Sequence, residues 1–261
     1  KLYMTKLSFE KEIIYVIDLH THFIPKVDDG SDSIEETIRM ARLAVKEGVS
    51  HAILTPHHNR HWVTNPKDEV IKKTKEVEEA VKSADIPLTF SAGQEIRLNE
   101  EFISELFAGN YLPLDEGGKY YLVEFSWKDF PPFAKGYLDK MIAADITPVI
   151  AHPERQRAFL NDESLLPSLI EMGCIAQVTA TSVMGGYTEE IEKAAHDMIQ
   201  KNLIHTIASD AHNTDERPFN LQAAFKRLEA DYGSDYKENL VENARRIFEG
   251  KEIEYYKHSK N

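Results

Sequence analysis

The chain has 261 residues, of which 42% are hydrophobic and 29% are charged, and its formal net charge is −13. This length suits two small domains or one α/β barrel of about 250 residues, and the acidic balance argues against nucleic acid or an anionic membrane as the main partner. The single cysteine, Cys174, excludes an internal disulfide and indicates a cytoplasmic protein. No apolar stretch approaches the roughly 20 residues that membrane insertion requires.

A short apolar stretch over residues 13–17 leads into His20-Thr21-His22. Its β-branched and aromatic residues are typical of a strand in a parallel sheet that is buried on both faces. Two histidines at positions i and i+2 point to the same side of a strand end and can bind one metal ion. Residues 1–15 carry no signal-peptide pattern, and we interpret them as an N-terminal extension.

Strands and helices alternate along the rest of the sequence. The patterns predict further strands over residues 52–55, 88–90, 120–125, 147–151, 175–178 and 205–208. They predict helices over residues 33–47, 66–83, 100–108, 133–144, 164–172, 189–201, 220–232 and 235–249. Ser33 with Glu36 three residues later has the form of a capping box, and Gly48 is expected to end the first helix.

Seven strands that alternate with helices, without a linker between them, predict one domain around a parallel sheet. We expect a distorted (β/α)7 TIM-like barrel, since right-handed crossovers close naturally into a barrel. A doubly wound open sheet is the alternative, but it requires a glycine-rich first turn, where this chain has His20-Thr21-His22. The barrel is expected to span residues 16–250, with a C-terminal tail at 251–261.

Nine side chains able to bind metal fall at the predicted carboxyl ends of strands or in the loops that follow. They are His20, His22, Asp29, His57, Glu95, Glu124, His152, Asp210 and His212. In α/β barrels the chemistry takes place at this rim. Four converging carboxylates would repel one another unless divalent cations neutralise them. Nitrogen and oxygen ligands without thiolate suit Mn, Zn or Fe(II) and argue against calcium.

Some of these ligands have competing neighbours. Asp28 competes with Asp29, because only the orientation of the side chains decides between them. His58 competes with His57, which we favour, because a rim loop lets only one of the two face inward. Glu124 lies in an otherwise apolar strand, where an unpaired carboxylate would be costly. The remaining histidines are interpreted as ordinary; they are His51, His61, His196, His205 and His258.

Two arginines accompany the predicted ligands. Arg155 lies three residues after His152, and Arg217 lies five after His212. The planar guanidinium group matches phosphate or carboxylate, so an arginine beside metal ions indicates an anion clamp. The alternative for Arg217 is an ion pair with a neighbouring acid at a helix start. With metal ions bound the pocket becomes cationic, which suits a phosphate dianion.

Seven motifs stand in the order found in one known family. They are residues 18–22, 28–30, 55–58, 93–96, 124–125, 151–155 and 208–213. With these motifs the chain resembles the bacterial manganese-dependent protein-tyrosine phosphatases of the PHP (polymerase and histidinol phosphatase) superfamily, over nearly its whole length. Those enzymes regulate capsule and exopolysaccharide synthesis. The resemblance implies a distorted seven-stranded barrel that holds two to three ions, Mn²⁺ in the first place, with Fe²⁺, Zn²⁺, Co²⁺ or Mg²⁺ as substitutes.

The resemblance also implies a role for each site residue. It assigns one ion to His20, His22, Glu95 and Asp210, a second to Glu95, Glu124 and His152, and a third to Asp29, His57 and His212. It chooses Asp29 over Asp28 as the ligand. It further implies that Arg155 and Arg217 bind the phosphate at the catalytic centre, together with Asp210.

The implied activity is hydrolysis of phosphotyrosine on a cognate bacterial tyrosine kinase by metal-activated hydroxide. No phosphoenzyme is expected, because Cys174 lacks the glycine-rich loop and trailing arginine of a cysteine phosphatase and is interpreted as a buried structural thiol. Two alternatives stay open: a histidinol-phosphate phosphatase of the same superfamily, and a non-catalytic, metal-stabilised regulatory module. An oligomer is compatible with the sequence.

Overall fold

The structure, a computed structural model, describes residues 16–60, 63–127 and 129–256. The predicted strand positions 13–15 lie outside these ranges, as do His61 and His258. Within them, the strands are β1 Val16–Thr21, β2 Val49–Leu54, β3 His57–His58, β4 Thr89–Ala92, β5 Glu95–Arg97, β6 Tyr120–Glu124, β7 Thr147–Ala151, β8 Ile175–Thr179 and β9 Thr206–Ala208.

Helices connect these strands and cover the sheet. They are α1 Ile34–Lys46, α2 Lys67–Ser83, α3 Phe102–Phe107, α4 Ala134–Ala143, α5 Arg157–Asn161, α6 Leu165–Met172, α7 Ala180–Val183, α8 Glu189–Gln200, α9 Leu221–Tyr232 and α10 Ser234–Phe248, with a 3-10 turn at Pro153–Arg155. The eight predicted helices are all present, to within about two residues at each end. The 3-10 turn, α5 and α7 are short additions near the carboxyl ends of β7 and β8, where the sequence has no helical period.

The strands pair in parallel, in the orders β1-β2-β4 and β3-β5-β6-β7-β8-β9. The predicted α/β fold around a parallel sheet is therefore confirmed. Two of the expected strands, 52–55 and 88–90, are each followed by a further short strand that was not predicted. β2 and β3 are separated at Thr55-Pro56, since proline has no amide hydrogen for the ladder. β4 and β5 are separated at Gly93, where a Cβ atom would lie 2.7 Å from Cγ2 of Ile53.

The two sheets contact each other where the end of β1 lies beside the loop after β9. Thr21 and Ala211 form an isolated parallel bridge, and the amide of His22 donates to the carbonyl of Ala211 at 2.9 Å. The amide of Asp210 donates to the carbonyl of His20, also at 2.9 Å. The parallel sheet is thus strongly curled, and its carboxyl edge brings β1 and the loop after β9 together.

Side chains of the strands alternate between two apolar clusters. Leu122 and Val149 belong to the cluster inside the curled sheet, whereas Val123 and Ile150 pack toward the helices. This alternation follows from the two-residue period of a strand. It explains why the strands of a sheet covered by helices are apolar at nearly every position.

α1 shows how local sequence fixes an element beside the rim. The hydroxyl of Ser33 accepts from the amide of Glu36 at 3.2 Å, as a helix N-cap does. The reciprocal half of the predicted capping box is replaced, because the Glu36 carboxylate accepts instead from the amide of Thr214 at 2.9 Å and pairs with Arg39. Glu36 therefore attaches α1 to the loop after β9.

The segment after α10 packs against the opposite, amino-terminal end of the sheet. The hydroxyl of Tyr120 donates to the carbonyl of Lys251 at 2.7 Å, and the Asn243 amide donates to the carbonyl of Glu254 at 2.8 Å. Ile253 is buried in the inner cluster. Among the described residues, none of the helices combines the length and the apolar character needed to span a bilayer.

Candidate metal and phosphate site

The structure brings the nine predicted ligands together at the carboxyl edge of the curled sheet. Eight of them are buried, and the side chain of Asp29 is 49% exposed. β1 carries His20 within the strand rather than after it, since this strand extends to Thr21. Glu95 opens β5 and Glu124 ends β6. The rim is therefore built from rigid strand ends and the first residues after them.

The first predicted group is compact. Nε2 of His20 lies 3.3 Å from Oδ1 of Asp210 and 3.3 Å from Oε2 of Glu95. Nε2 of His22 lies 3.3 Å from the same Asp210 oxygen and 3.5 Å from the same Glu95 oxygen. Four ligand atoms from three strands thus converge on one point.

A second point of convergence lies closer to solvent. Oδ1 of Asp29 is 3.2 Å from Nε2 of His57 and 3.3 Å from Nε2 of His212. Ligand atoms of these three residues and of His22 all lie within 4.8 Å of one another. This is the set predicted for one ion, with His22 in addition.

The third group is arranged differently from the predicted set. Oε1 of Glu95 is 2.7 Å from Nε2 of His152, as the prediction requires. The imidazole that joins Glu95 to Glu124, however, is that of His57, whose Nδ1 lies 2.6 Å from Oε2 of Glu95 and 3.8 Å from Oε2 of Glu124. Glu95 therefore stands between all the groups, with one oxygen facing His20, His22 and His57.

The side-chain orientations distinguish the competing neighbours. Asp28 turns away from the convergence points, because its Oδ2 accepts from Nδ1 of His22 at 2.8 Å and from the amide of His57 at 3.0 Å. His58 also points away, since its Nδ1 donates to the carbonyl of Asn65 at 2.7 Å. Asp29 and His57 are left facing the other ligands.

Several imidazoles are held in one tautomer by partners behind them. Nδ1 of His20 donates to Oε1 of Gln177 at 2.9 Å, and Nδ1 of His212 donates to the carbonyl of Asp210 at 2.9 Å. With Asp28 behind His22, three rings present Nε2 to the centre. Such a partner on the second ring nitrogen is the usual arrangement around metal-binding histidines.

The donor set fits bound divalent cations. Among the residues that the structure describes, four buried atoms of the cluster form no hydrogen bond: Oε2 of Glu95, Nδ1 of His57, Oδ1 of Asp210 and Nε2 of His212. The first two atoms are close but are not aligned for a hydrogen bond. Burying unpaired polar atoms is costly, and a cation would be the partner for all four. Nitrogen and oxygen donors without thiolate match Mn, Fe(II) or Zn.

Electrostatics of the metal-free cluster support the same fit. Burial alone would lower the pKa of His20, but the carboxylates of Glu95 and Asp210 outweigh it and raise that pKa to about 9. Burial is likewise outweighed at His57, where Glu95, Asp29 and Glu124 raise the pKa to about 10. At these two rings the carboxylates thus demand positive charge, which protons provide when metal ions are absent. At His152 and His212 burial prevails and lowers the pKa to about 3 and about 4, so these rings are neutral, as metal-binding imidazoles are.

The two predicted arginines share one carboxylate of this cluster. Nη2 of Arg217 lies 3.0 Å from Oδ2 of Asp210, and Nη2 of Arg155 donates to the same oxygen. Nη1 of Arg217 lies 3.5 Å from Asp29, so its guanidinium faces the rim rather than a neighbouring acid in its own loop. Asp210 therefore directs one oxygen to the ligand histidines and the other to both arginines.

Four residues of the site were not predicted, or not in their observed role. Arg97 donates from Nε to Glu124 at 2.9 Å, and Arg60 lies 3.3 Å from Asp29. Gln177 orients His20, and Asp28 orients His22. A signal for Arg97 existed in the sequence, because it follows Glu95 by two residues and so lies on the same face of the strand. No local pattern distinguishes the other three from ordinary rim residues.

Cys174 lies outside the site. It is fully buried, and burial raises the pKa of its thiol to about 12. The thiol is therefore neutral and inaccessible, which confirms the interpretation of Cys174 as a structural residue.

Comparisons with known proteins agree with this geometry. The family model described as capsular polysaccharide synthesis, CpsB/CapC, matches residues 16–249. Tyrosine-protein phosphatase YwqE of Bacillus subtilis is 36% identical over 238 residues, which cover 91% of this chain and 93% of that protein. Tyrosine-protein phosphatase CpsB of Streptococcus pneumoniae is 31% identical, with 89% and 98% covered.

A solved structure is similar over almost the whole chain. It comes from crystal structures of YwqE from Bacillus subtilis and CpsB from Streptococcus pneumoniae, described as unique metal-dependent tyrosine phosphatases. The superposition has a TM-score of 0.88 at 34% identity and covers 94% of this chain and 100% of the other. The curled sheet and its covering helices are thus the fold of those proteins.

Proposed function

Because the chain belongs to the CpsB/CapC family, we propose that it is a metal-dependent protein-tyrosine phosphatase, a phosphoric monoester hydrolase. The observation that carries this proposal is the double contact of Asp210, whose Oδ1 faces His20 and His22 while Oδ2 binds Arg155 and Arg217. A phosphate held by the two guanidinium groups would lie beside the metal ligands, where its ester bond is to be cleaved.

The chain supplies the metal ligands, the two arginines that hold the phosphate, and the residues that orient the ligands. The proposed ligand sets are His20, His22, Glu95 and Asp210 for one ion, Glu95, Glu124 and His152 for a second, and Asp29, His57 and His212 for a third. Bound divalent ions would provide an activated water and stabilise charge on phosphoryl oxygens. Asp28, Gln177 and Arg97 keep the ligand side chains oriented, which maintains the geometry between turnovers.

The arginines bind the phosphoryl oxygens and stabilise the charge that builds up as the P–O bond breaks. The leaving group of phosphotyrosine is a phenolate, whose parent pKa is about 10. It therefore needs less help from a general acid than an alkoxide does. Hydrolysis consumes one water and releases tyrosine and inorganic phosphate. The buried, neutral Cys174 plays no part in it.

Several finer proposals accompany this activity. We propose Mn²⁺ as the ion, two to three per chain, and a cytoplasmic location for the protein. We propose a cognate bacterial tyrosine kinase as the substrate, which would connect the protein with capsule or exopolysaccharide synthesis. We also propose that the two sheets form one distorted seven-stranded barrel at residues 16–250. The bridge between Thr21 and Ala211 supports closure, and the interruptions at Pro56 and Gly93 explain why the strands divide.

The test is phosphate release from a phosphotyrosyl peptide by protein stripped of metal and then reloaded with Mn²⁺. We expect turnover only after reloading, and little release from histidinol phosphate in a parallel assay. Arg155→Ala should lower kcat/KM by about 10²–10³-fold, as loss of a group that stabilises transition-state charge does.

The matched control is Arg157→Ala, two residues away on an exposed position of α5, which should stay within about twofold of the wild type. Faster release from histidinol phosphate than from the peptide would assign the site to a small metabolite. Absence of turnover with either substrate after Mn²⁺ loading would instead favour a regulatory module.

A further inference from the structure

Tyr187 contacts the phosphate clamp from the loop between α7 and α8. Nη1 of Arg155 donates to its hydroxyl at 3.0 Å, and the guanidinium carbon of Arg155 lies 5.2 Å from the centre of its ring. With Nη2 on Asp210, both terminal nitrogens of Arg155 are engaged. The side chain of Arg155 is 5% exposed, whereas Tyr187 is only partly buried at the rim.

The backbone on both sides of Tyr187 is fixed. Gly185 has a positive φ of 72°, and a Cβ atom on Gly186 would lie 2.5 Å from Cγ2 of Thr181, so the turn requires both glycines. The amide of Gly186 donates to the carbonyl of Thr181 at 2.9 Å. Immediately after Tyr187, the hydroxyl of Thr188 caps α8. The aromatic ring is therefore presented by a rigid segment rather than by a free loop.

The position of the ring relates it to the substrate. A phosphate held by Arg155 brings its ester group next to the guanidinium, and the ring of Tyr187 lies against that same guanidinium. With the ester bond on the Tyr187 side of this guanidinium, the phenyl ring of an aryl phosphate, one oxygen away from phosphorus, would lie within the 4.5–7 Å over which aromatic rings attract each other. An alkyl phosphate offers no such partner.

We propose that Tyr187 positions Arg155 through its hydroxyl and selects aryl over alkyl phosphate monoesters through its ring. The proposal rests on the proposed function, since it takes Arg155 as the group that binds phosphate. The hydroxyl and the ring of Tyr187 should therefore have different effects. Loss of the hydroxyl weakens every phosphate ligand alike, whereas loss of the ring also lowers the affinity for ligands with an aromatic group relative to those without one.

The test compares Tyr187→Phe, which retains the ring, with Tyr187→Leu, which removes it. The matched control is Tyr137→Phe on α4, which also loses one hydrogen bond, to the carbonyl of Glu100, a contact that involves none of the site residues. Binding of inorganic phosphate, phenylphosphonate and ethylphosphonate to the Mn²⁺-loaded protein is measured by calorimetry. These ligands are not hydrolysed, so the readout does not depend on turnover.

We expect Tyr187→Phe to weaken all three ligands by roughly tenfold, as loss of a hydrogen bond to a charged group does. Tyr187→Leu should weaken phenylphosphonate by a further factor of about five relative to ethylphosphonate. Metal content and Tm should match the Tyr137→Phe control in both variants. In the turnover assay, Tyr187→Phe should reduce kcat for phosphotyrosyl peptide, and Tyr187→Leu should in addition raise its KM.

Unchanged phosphate affinity in Tyr187→Phe would overturn the positioning role. Equal weakening of phenylphosphonate and ethylphosphonate in Tyr187→Leu would overturn the selection of aryl groups. These outcomes differ from failure of the proposed function, in which the wild-type protein binds the ligands but releases no phosphate from the peptide. Loss of metal in either variant would also count against the proposal, because it would show that Tyr187 acts on the ligand cluster instead of on Arg155.

Discussion

Histidines lie at both the carboxyl and the amino end of the curled sheet, and the two ends give them different partners. At the carboxyl rim, carboxylates raise the pKa of His20 to about 9 and that of His57 to about 10 against the effect of burial, whereas burial prevails at His152 and His212 and lowers their pKa to about 3 and about 4. At the amino end, desolvation lowers the pKa of the half-buried His51 and of the buried His205 to about 4 each, and no carboxylate of the described residues opposes it.

The difference lies in the partners of the imidazoles. His51 hydrogen-bonds Thr89 at 2.8 Å and Ser91 at 2.9 Å, and Nδ1 of His205 accepts from the amide of Ala176 at 3.1 Å. These partners are neutral and satisfy a neutral ring. The rim instead places carboxylates against its rings, and among the described residues Oε2 of Glu95 and Oδ1 of Asp210 form no hydrogen bond. Burial of a histidine thus indicates function where carboxylates share its site, and a structural role where all its partners are neutral.

The largest difference between the two ends should appear on substitution of Glu95, the carboxylate between the ligand groups. Glu95→Gln keeps the shape of the side chain but removes the negative charge that holds cations. We expect phosphatase activity to fall by more than about a hundredfold, since even partners behind metal ligands cost 10–100-fold. Metal content, measured on the dialysed protein, should fall with it. His51→Gln is the control at the amino end and should retain both activity and metal; equal loss in the two variants would contradict the distinction.

Metal removal offers a second test, on stability. Because ions bind only the folded rim, Mn²⁺ at about a hundred times its Kd should raise the free energy of unfolding by about 2.7 kcal/mol. Chelation should lower Tm correspondingly, as followed by thermal unfolding. Glu95→Gln should abolish the effect of Mn²⁺, whereas His51→Gln should preserve it. A Tm that does not respond to Mn²⁺ in the wild-type protein would show that metal binding at the rim does not stabilise the fold.

Arg97 should have an intermediate effect, because it acts through Glu124. Its Nε donates to Glu124 at 2.9 Å. Burial and the neighbouring Glu95 raise the pKa of Glu124, and the charge and hydrogen bond of Arg97 oppose that rise. Arg97→Gln should therefore weaken Mn²⁺ binding by about tenfold, measured by competition with a chelating dye. Arg39→Gln, on the surface of α1, is the comparison and should leave Mn²⁺ binding unchanged. Full affinity in Arg97→Gln would show that Glu124 needs no orienting partner.

Acid should lower the stability of the fold through His205 at the amino end of the sheet. The folded pKa of His205, about 4, is below its unfolded value of about 6.5. The unfolded chain therefore binds more protons between these values, so stability is lost as pH falls from about 6.5 to about 4, by about 3 kcal/mol at most. His205→Asn, whose carbonyl can still accept from the amide of Ala176, should flatten this part of the profile.

Denaturant unfolding of the metal-free protein measures the profile without interference from bound ions. Below pH 6.5 His20 and His57 are protonated in both states and contribute no slope. His51, His152 and His212, whose pKa values are also lowered, contribute a slope that the wild type and the variant share, so the difference between the two profiles reports on His205. A variant with the same slope as the wild type would show that His205 is not held neutral by the fold.

The smallest effect on activity is expected at Cys174. Its thiol is buried among apolar residues, with a pKa of about 12, and takes no part in the proposed chemistry. Cys174→Ser should keep kcat/KM within about twofold, while burial of the hydroxyl lowers stability by about 1–3 kcal/mol. Activity is to be normalised to folded protein by circular dichroism. Loss of turnover in a folded variant would indicate that Cys174 takes part in the reaction as a nucleophile.

The sequence by itself determined the order of strands and helices, the parallel sheet and the set of residues that meet at its carboxyl edge. These features follow from local rules, because the period of apolar residues fixes each element and parallel strands deliver their ends to one rim. Nine ligand residues and two arginines could therefore be named before any distance was known. Membership of the family followed from the same motifs.

Only the tertiary structure decided how these groups face one another. It turned Asp28 behind His22, placed His57 between Glu95 and Glu124, and directed Arg217 to Asp210. It also replaced half of the capping box at Ser33 with a contact across the rim. The orientation of these side chains depends on hydrogen bonds between residues far apart in the chain, and a local sequence pattern does not specify such bonds.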